Sequence, residues 1–213
     1  FLSKSTFSER KLNLDEITLT NFYKSNGYVD IKISSTFKIF QNSDVNILVE
    51  VKEGKQYRVK SIDFYGLKSF PDNFTDNVVK ISEDDVFNIS KLRKYLKLLK
   101  YKYLEIGKLN ISIFEDISFI ENNVEIKILV SEGLTYSVNE VTIKGLKEVD
   151  EKYIKREILF KKGSKYNIVL INRTQEKIFE SGLFSSVDIQ PVIIEEPLLD
   201  IIIKGSSIIT GWI

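Results

Sequence analysis

Two stretches of this chain repeat one another at a fixed offset, and that repetition limits the possible folds more than any other feature. Glu53-Gly54 is followed by Tyr57, Val59, Ile62, Phe64, Gly66 and Leu67. Glu132-Gly133 is followed by Tyr136, Val138, Val141, Ile143, Gly145 and Leu146, each 79 positions later. The offset persists from Phe87-Asn88-Ile89 to Tyr166-Asn167-Ile168. The register then slips by a few residues before a shared glycine appears: Gly27 after TLTNFYKSN, Gly107 after LKLLKYKYLEI, Gly182 after QEKIFES. An alternating apolar run follows each. The chain therefore holds three copies of one unit. The first has its helix end and later strands, and its opening strand and first helix are expected before residue 1. With no initiator Met, the sequence is expected to begin partway along a longer protein.

Each unit reads the same way. Tyr57-Val59-Ile62-Phe64 and Tyr136-Val138-Val141-Ile143 are short β-rich runs closed by Gly66 or Gly145. A short helix is expected near 70–80, with Pro71 in its first turn, and near 148–160, with Asp150 as its cap. The second helix has the clearest pattern. Ser90 is its expected cap, and Ile89, Leu92, Leu96, Leu99 and Tyr103 recur at steps of three and four. Its counterpart carries Ile168, Ile171 and Ile178, with Gln175 interrupting the stripe. Gly27, Gly107 and Gly182 stand where the residue after a helix belongs. Two strands then form a hairpin. Val29, Ile31 and Ile33 are answered by Val45, Ile47, Val49 and Val51; Leu109, Ile111 and Ile113 by Val124, Ile126, Ile128 and Val130; Val187 and Ile189 by Leu199, Ile201 and Ile203. Such alternation buries one face of each small sheet, which the two helices are expected to cover. The resulting division is 1–54, 55–133 and 134–205, and linkers this short imply that neighbouring units touch.

Composition narrows the chemistry. The 213 residues are 43% hydrophobic and 29% charged, enough apolar material for packed cores. Lys plus Arg number 31 against 30 acidic residues, so the chain lacks the basic excess of a dedicated nucleic-acid binder. There is no Cys and no His. That excludes a Cys/His zinc site and any nucleophile activated by imidazole. No apolar run is long enough for a membrane-spanning helix, and no signal peptide is evident.

Three local features could carry chemistry, each with a plainer explanation. Lys91, Arg93, Lys94, Lys97, Lys100, Lys102 and Lys108 interleave with Tyr95, Tyr101 and Tyr103. They could face nucleic acid or anionic lipid, but a solvated helix face opposite the Leu stripe explains them better. Lys161-Lys162-Gly163-Ser164-Lys165 lacks the upstream glycine of a phosphate loop and reads as a connection. Glu83-Asp84-Asp85 and Glu195-Glu196 lack metal-loop spacing and read as surface loops, the latter bracketed by Pro191 and Pro197.

A unit of strand, two helices and a hairpin resembles the POTRA domain. It opens Y-x-V-x-x-[IV]-x-[IF]-x-G-L, and its second helix ends [SN]-G-[YLF]. The third unit carries the pattern best, from Tyr136 to Leu146, at Lys165-Tyr166-Asn167 and from Ile178 to Val187; the second departs at Gly107-Lys108. The resemblance implies an α+β fold of tandem βααββ repeats, each a small three-stranded mixed sheet covered on one face by two helices. Tandem units are most similar to the periplasmic part of BamA-type outer-membrane β-barrel assembly factors, with TamA-type and two-partner-secretion transporters as relatives. Residues 206–213 are then expected to begin a membrane barrel.

A sheet of this kind keeps an open edge of unpaired N–H and C=O groups. The resemblance implies that the first hairpin strand is that edge and that unfolded outer-membrane protein precursors or accessory assembly lipoproteins add a strand to it. The backbone-mediated site residues so implied are Leu109, Ile111 and Ile113, with Ile31, Ile33, Val187 and Ile189 in the other units. No cofactor, no metal, no catalysis and no nucleic acid are expected. A carboxylate-dependent hydrolase and a binder of anionic surfaces through residues 91–108 are the rival classes.

Overall fold

The computed structural model describes residues 7–41, 44–71, 73–145 and 150–207. The elements run α1 (Glu9–Ser25), β1 (Lys32–Ile39), β2 (Val45–Lys52), β3 (Arg58–Tyr65), α2 (Phe74–Val78), α3 (Ile89–Glu105), β4 (Ser112–Ile120), β5 (Asn123–Ser131), β6 (Ser137–Lys144), α4 (Glu151–Lys155), α5 (Ile168–Glu180), β7 (Phe184–Glu195) and β8 (Leu198–Ser207). They form one two-stranded sheet, β1-β2, and two three-stranded sheets of the same topology, β3-β5-β4 and β6-β8-β7. The opening strand pairs parallel with the last hairpin strand in both three-stranded sheets. The fold is thus α+β with small mixed sheets. None of the helices among the described residues is long and apolar enough to cross a membrane.

Packing divides the chain into two compact units, and the division runs through the second repeat. The first holds α1, β1–β3, α2, the front half of α3 and most of the β4–β5 hairpin. Its interior includes Val59, Phe87, Leu92, Leu96, Val124, Ile126 and Ile128, all buried. The second holds the rest of α3 and everything from β6 onward. There Tyr136, Val138, Ile154, Ile171, Ile178, Leu199, Ile201 and Ile203 form one cluster, against which Leu104 and Leu109 pack from the preceding repeat.

Local chemistry explains most boundaries. Asn167 caps α5 by accepting from the N–H groups of Val169 and Leu170. Asn88 does the same for α3, accepting from Lys91 N–H at 2.8 Å, so the cap is Asn88; Ser90, expected there, already lies inside the helix. Asp150 caps α4 as expected, from Lys152 N–H at 3.0 Å. Pro71 does not enter α2, which starts three residues later behind Asn73. The expectation for 146–149 lies outside the described residues, as does that for 208–213. Gly107, at φ +91°, ends α3: its N–H donates to the Leu104 carbonyl and that of Lys108 to Tyr103. This closing pattern satisfies carbonyls the helix leaves over. A Cβ at Gly66 would drive into the carbonyl oxygen of Val130, and one at Gly145 into that of Gly205, so the two opening strands end against equivalent points of their neighbours.

Adjacent repeats are joined by main-chain bonds. Tyr57 N–H donates to the Gly27 carbonyl and Tyr136 N–H to the Gly107 carbonyl, both at 2.9 Å. The hydroxyls of the same tyrosines also bond to the preceding repeat, that of Tyr57 donating to Asp30 at 2.8 Å and that of Tyr136 accepting from the Asn110 amide at 2.6 Å.

Candidate functional site

The first hairpin strand lies at a sheet edge in both complete repeats, as β4 and β7. Of the expected site residues, Ile33, Ile113, Val187 and Ile189 sit in these first strands. Ile31, Leu109 and Ile111 do not: each precedes its strand. After the glycine that ends the helix the chain makes one more turn, with Ile31 N–H donating to Tyr28 and Ile111 N–H to Lys108, before it extends. Ile31 and Ile111 are buried in that turn, and Leu109 packs on the third repeat's core. Apolar alternation thus continued through a segment that is not yet strand. Where edge residues do lie in a strand, Val187 and Ile189 turn their side chains into the core. What they can offer a partner is backbone.

The orientation of the β7 backbone follows from its pairing. Val187 lies opposite Gly205, Ile189 opposite Ile203 and Pro191 opposite Ile201. The Gly205 carbonyl is turned toward Gly145, on the opposite side of β8. Val187 and Gly205 are therefore a pair without mutual hydrogen bonds, and by the alternation of an antiparallel ladder Val187, Ile189 and Pro191 direct their main-chain groups to the open edge. Pro191 was expected to flank the hairpin loop; it sits inside β7, where its missing N–H is the outward one. The Val187 carbonyl is already taken, accepting from the Gln175 amide at 2.9 Å. Gln175 reaches it across a groove of about 500 Å³ between α5 and β7, lined also by Asn172, Phe179 and Ser185.

The β4 edge is different. It contains no proline, and among the described residues no side chain hydrogen-bonds to its backbone. Ile113, Glu115 and Ile117 are the half-buried positions; Phe114, Asp116 and Ser118 face solvent. Glu115 pairs with Arg93 of α3 at 3.3 Å.

The basic stretch of α3 is a solvated face. Lys91 pairs with Asp85, Lys102 with Glu105 and Lys108 with Glu132. Lys94, Lys97 and Lys100 are exposed and carry no ion pair among the described residues. The Lys161–Lys165 segment is a turn in which Ser164 donates to the Lys161 carbonyl. Among the described residues no three acidic side chains converge as a metal site.

Sequence reasoning missed two residues. Gln175 drew notice only as a break in an apolar stripe, yet a polar residue facing a sheet needs a partner, and that is the signal it carried. Glu132, read only as a junction, is a buried carboxylate. Burial alone would raise its pKa, but the Ser69 hydroxyl and the N–H groups of Lys68 and Ser69 overcome that and hold it down at about 2.

Comparison with known proteins adds the following. A family model described as POTRA, a surface antigen variable number repeat, matches residues 3–54, 57–133 and 136–205. A putative outer membrane protein assembly factor of Treponema pallidum is 25% identical over 214 residues, covering 96% of this chain and 25% of that protein. The outer membrane protein assembly factor BamA of Buchnera aphidicola is 25% identical over 193 residues, 88% of this chain and 31% of that one. The chain thus spans a quarter to a third of the length of these relatives. Its fold is similar to the crystal structure of Haemophilus influenzae BamA POTRA3-5, with a TM-score of 0.72 and 19% identity over 94% of this chain and 82% of that one.

Proposed function

Because this chain belongs to the POTRA family, we propose that it is a periplasmic polypeptide-binding scaffold of outer-membrane protein assembly, taking up unfolded outer-membrane protein precursors and accessory lipoproteins by β-strand addition. The relatives it matches are named as assembly factors, which supports the process. The observation that carries the binding mode is the β4 edge, a nine-residue strand without proline that, among the described residues, is paired on one side only and takes no side-chain hydrogen bond on its backbone. Backbone pairing makes few demands on client side chains, which suits a receptor for many sequences. It is a binding role with no step of covalent chemistry.

The test uses a fluorescent ten-residue peptide of alternating apolar residues and Thr, titrated into the full chain. Methylating alternate backbone nitrogens of the peptide removes donors without changing side chains and is expected to abolish binding. Reordering its residues with the alternation kept is expected to change affinity little. Binding that survives methylation but is lost when Lys94, Lys97 and Lys100 become Glu overturns strand addition and assigns the basic face of α3 instead. Steep salt dependence would accompany that outcome.

A further inference from the structure

We infer that the third repeat closes its own edge with Gln175 and Pro191, so that, of the two complete repeats, an added strand is directed to β4 of the second. The inference rests on the strand-addition reading above and says where on this chain it happens.

The outward main-chain groups of β7 at Val187, Ile189, Pro191 and Ile193 would be four N–H donors and four carbonyl acceptors if all four residues were free to pair. Gln175 occupies the Val187 carbonyl. Pro191 has no N–H to give. Ile189 and Ile193 keep both groups, but Pro191 lies between them without its donor and the Val187 carbonyl before them is taken, so no two successive outward residues pair completely and the added strand's register is interrupted. The Gln175 side chain also lines the groove beside β7.

The repeat itself shows that this is a choice of residue. On α5 the buried residues are Ile171, Thr174 and Ile178, with Gln175 half-buried beside them, and 79 positions before Gln175 stands Leu96 in the buried α3 stripe Leu92, Leu96, Leu99. Leu96 is buried and has no donor, so nothing on α3 at that position can reach a strand carbonyl. Gln175 lies half-buried at the side of the α5 stripe, and its amide finds the edge strand. One apolar-to-polar difference at a matched position, with a proline four residues along the edge from the carbonyl it covers, separates the closed edge from the open one.

The experiment follows amide hydrogen exchange by NMR in the full chain, with and without saturating alternating peptide. In the unaltered protein, β4 amides are expected to slow by about tenfold or more while Ile189 changes by less than about twofold. In the double variant Gln175→Leu, Pro191→Thr, Ile189 and position 191 are expected to slow as β4 does. Pro191→Thr alone, which leaves the helix stripe untouched, is expected to give partial slowing and guards against a folding effect of the Leu. Slowing at Ile189 in the unaltered protein overturns the inference, as does a folded double variant whose β7 stays unaffected. Slowing at neither edge in any protein refutes strand addition itself, a result distinct from both.

Discussion

Glu132 holds Ser69 twice, accepting from its N–H at 2.8 Å and from its hydroxyl. The carboxylate thereby fixes the loop after β3 to the end of β5 and, with Lys108 at 3.5 Å, sits in a site that is 7% exposed. The corresponding Glu53 is exposed.

Glu132→Gln is therefore expected to destabilise the protein at pH 7 by up to about 3 kcal/mol, the value of a carboxylate held near 2 against an unfolded value of about 4.3. The pKa is depressed in the folded state, so the contribution is present above about pH 4 and fades as pH falls toward 2. Urea titrations at pH 7, 4 and 2.5 check this. The difference between the two proteins should shrink at each step down; a constant difference would show that charge on Glu132 contributes nothing.

Leu96→Asp is expected to be severely destabilising, by several kcal/mol, because it places an unpaired charge in the interior. Lys97→Asp, one position on at an exposed site, should be close to neutral. Thermal melts distinguish them, and equal melting temperatures would contradict the burial of the α3 stripe.

The two matched caps do different work. Among the described residues the Asn167 side chain only accepts, whereas the Asn88 amide also donates to the Ser25 carbonyl at the end of α1, at 2.8 Å. Asp keeps the acceptor and removes the donor. Asn167→Asp should change stability by no more than about 0.5 kcal/mol, and Asn88→Asp should cost about 1–2 kcal/mol, since it also sets a charge against a carbonyl. Equal effects would show that the Ser25 contact is worthless.

An open edge invites pairing with its own kind. Two β4 strands laid together would bring Glu115 and Asp116 of one copy near those of the other, and like charges across strands repel. Replacing both with Thr is expected to produce concentration-dependent dimers in sedimentation velocity, while the unaltered chain stays monomeric. The Arg93 left behind is exposed and tolerates the loss.

The repeat, the stripe of α3 and the hairpins were legible because burial repeats with the period of each element. Helix α3 runs from Ile89 to Glu105 and takes in the whole expected stripe from Ile89 to Tyr103. The cap was misread at Ser90 although the repeat offered the answer, since Asn88 and Asn167 are matched residues of the same type. Leu109 and Ile111 were misread as strand because a turn can bury alternate residues as a strand does. The guarded edge was illegible for a deeper reason: Gln175 and Val187 are brought together only when helix and strand pack, and no local pattern encodes that meeting.

Leu104 and Leu109 belong by sequence to the second repeat but cover the hydrophobic interior of the third, and the Tyr136 amide is held by Gly107. A chimera that grafts the third repeat onto another scaffold by cutting at the Glu132-Gly133 junction would leave that interior bare and would aggregate for want of two leucines. Cutting ahead of Leu104 carries the lid along with the box. Loss of binding in a protein truncated at the junction consequently reports a damaged core before it reports a missing docking surface.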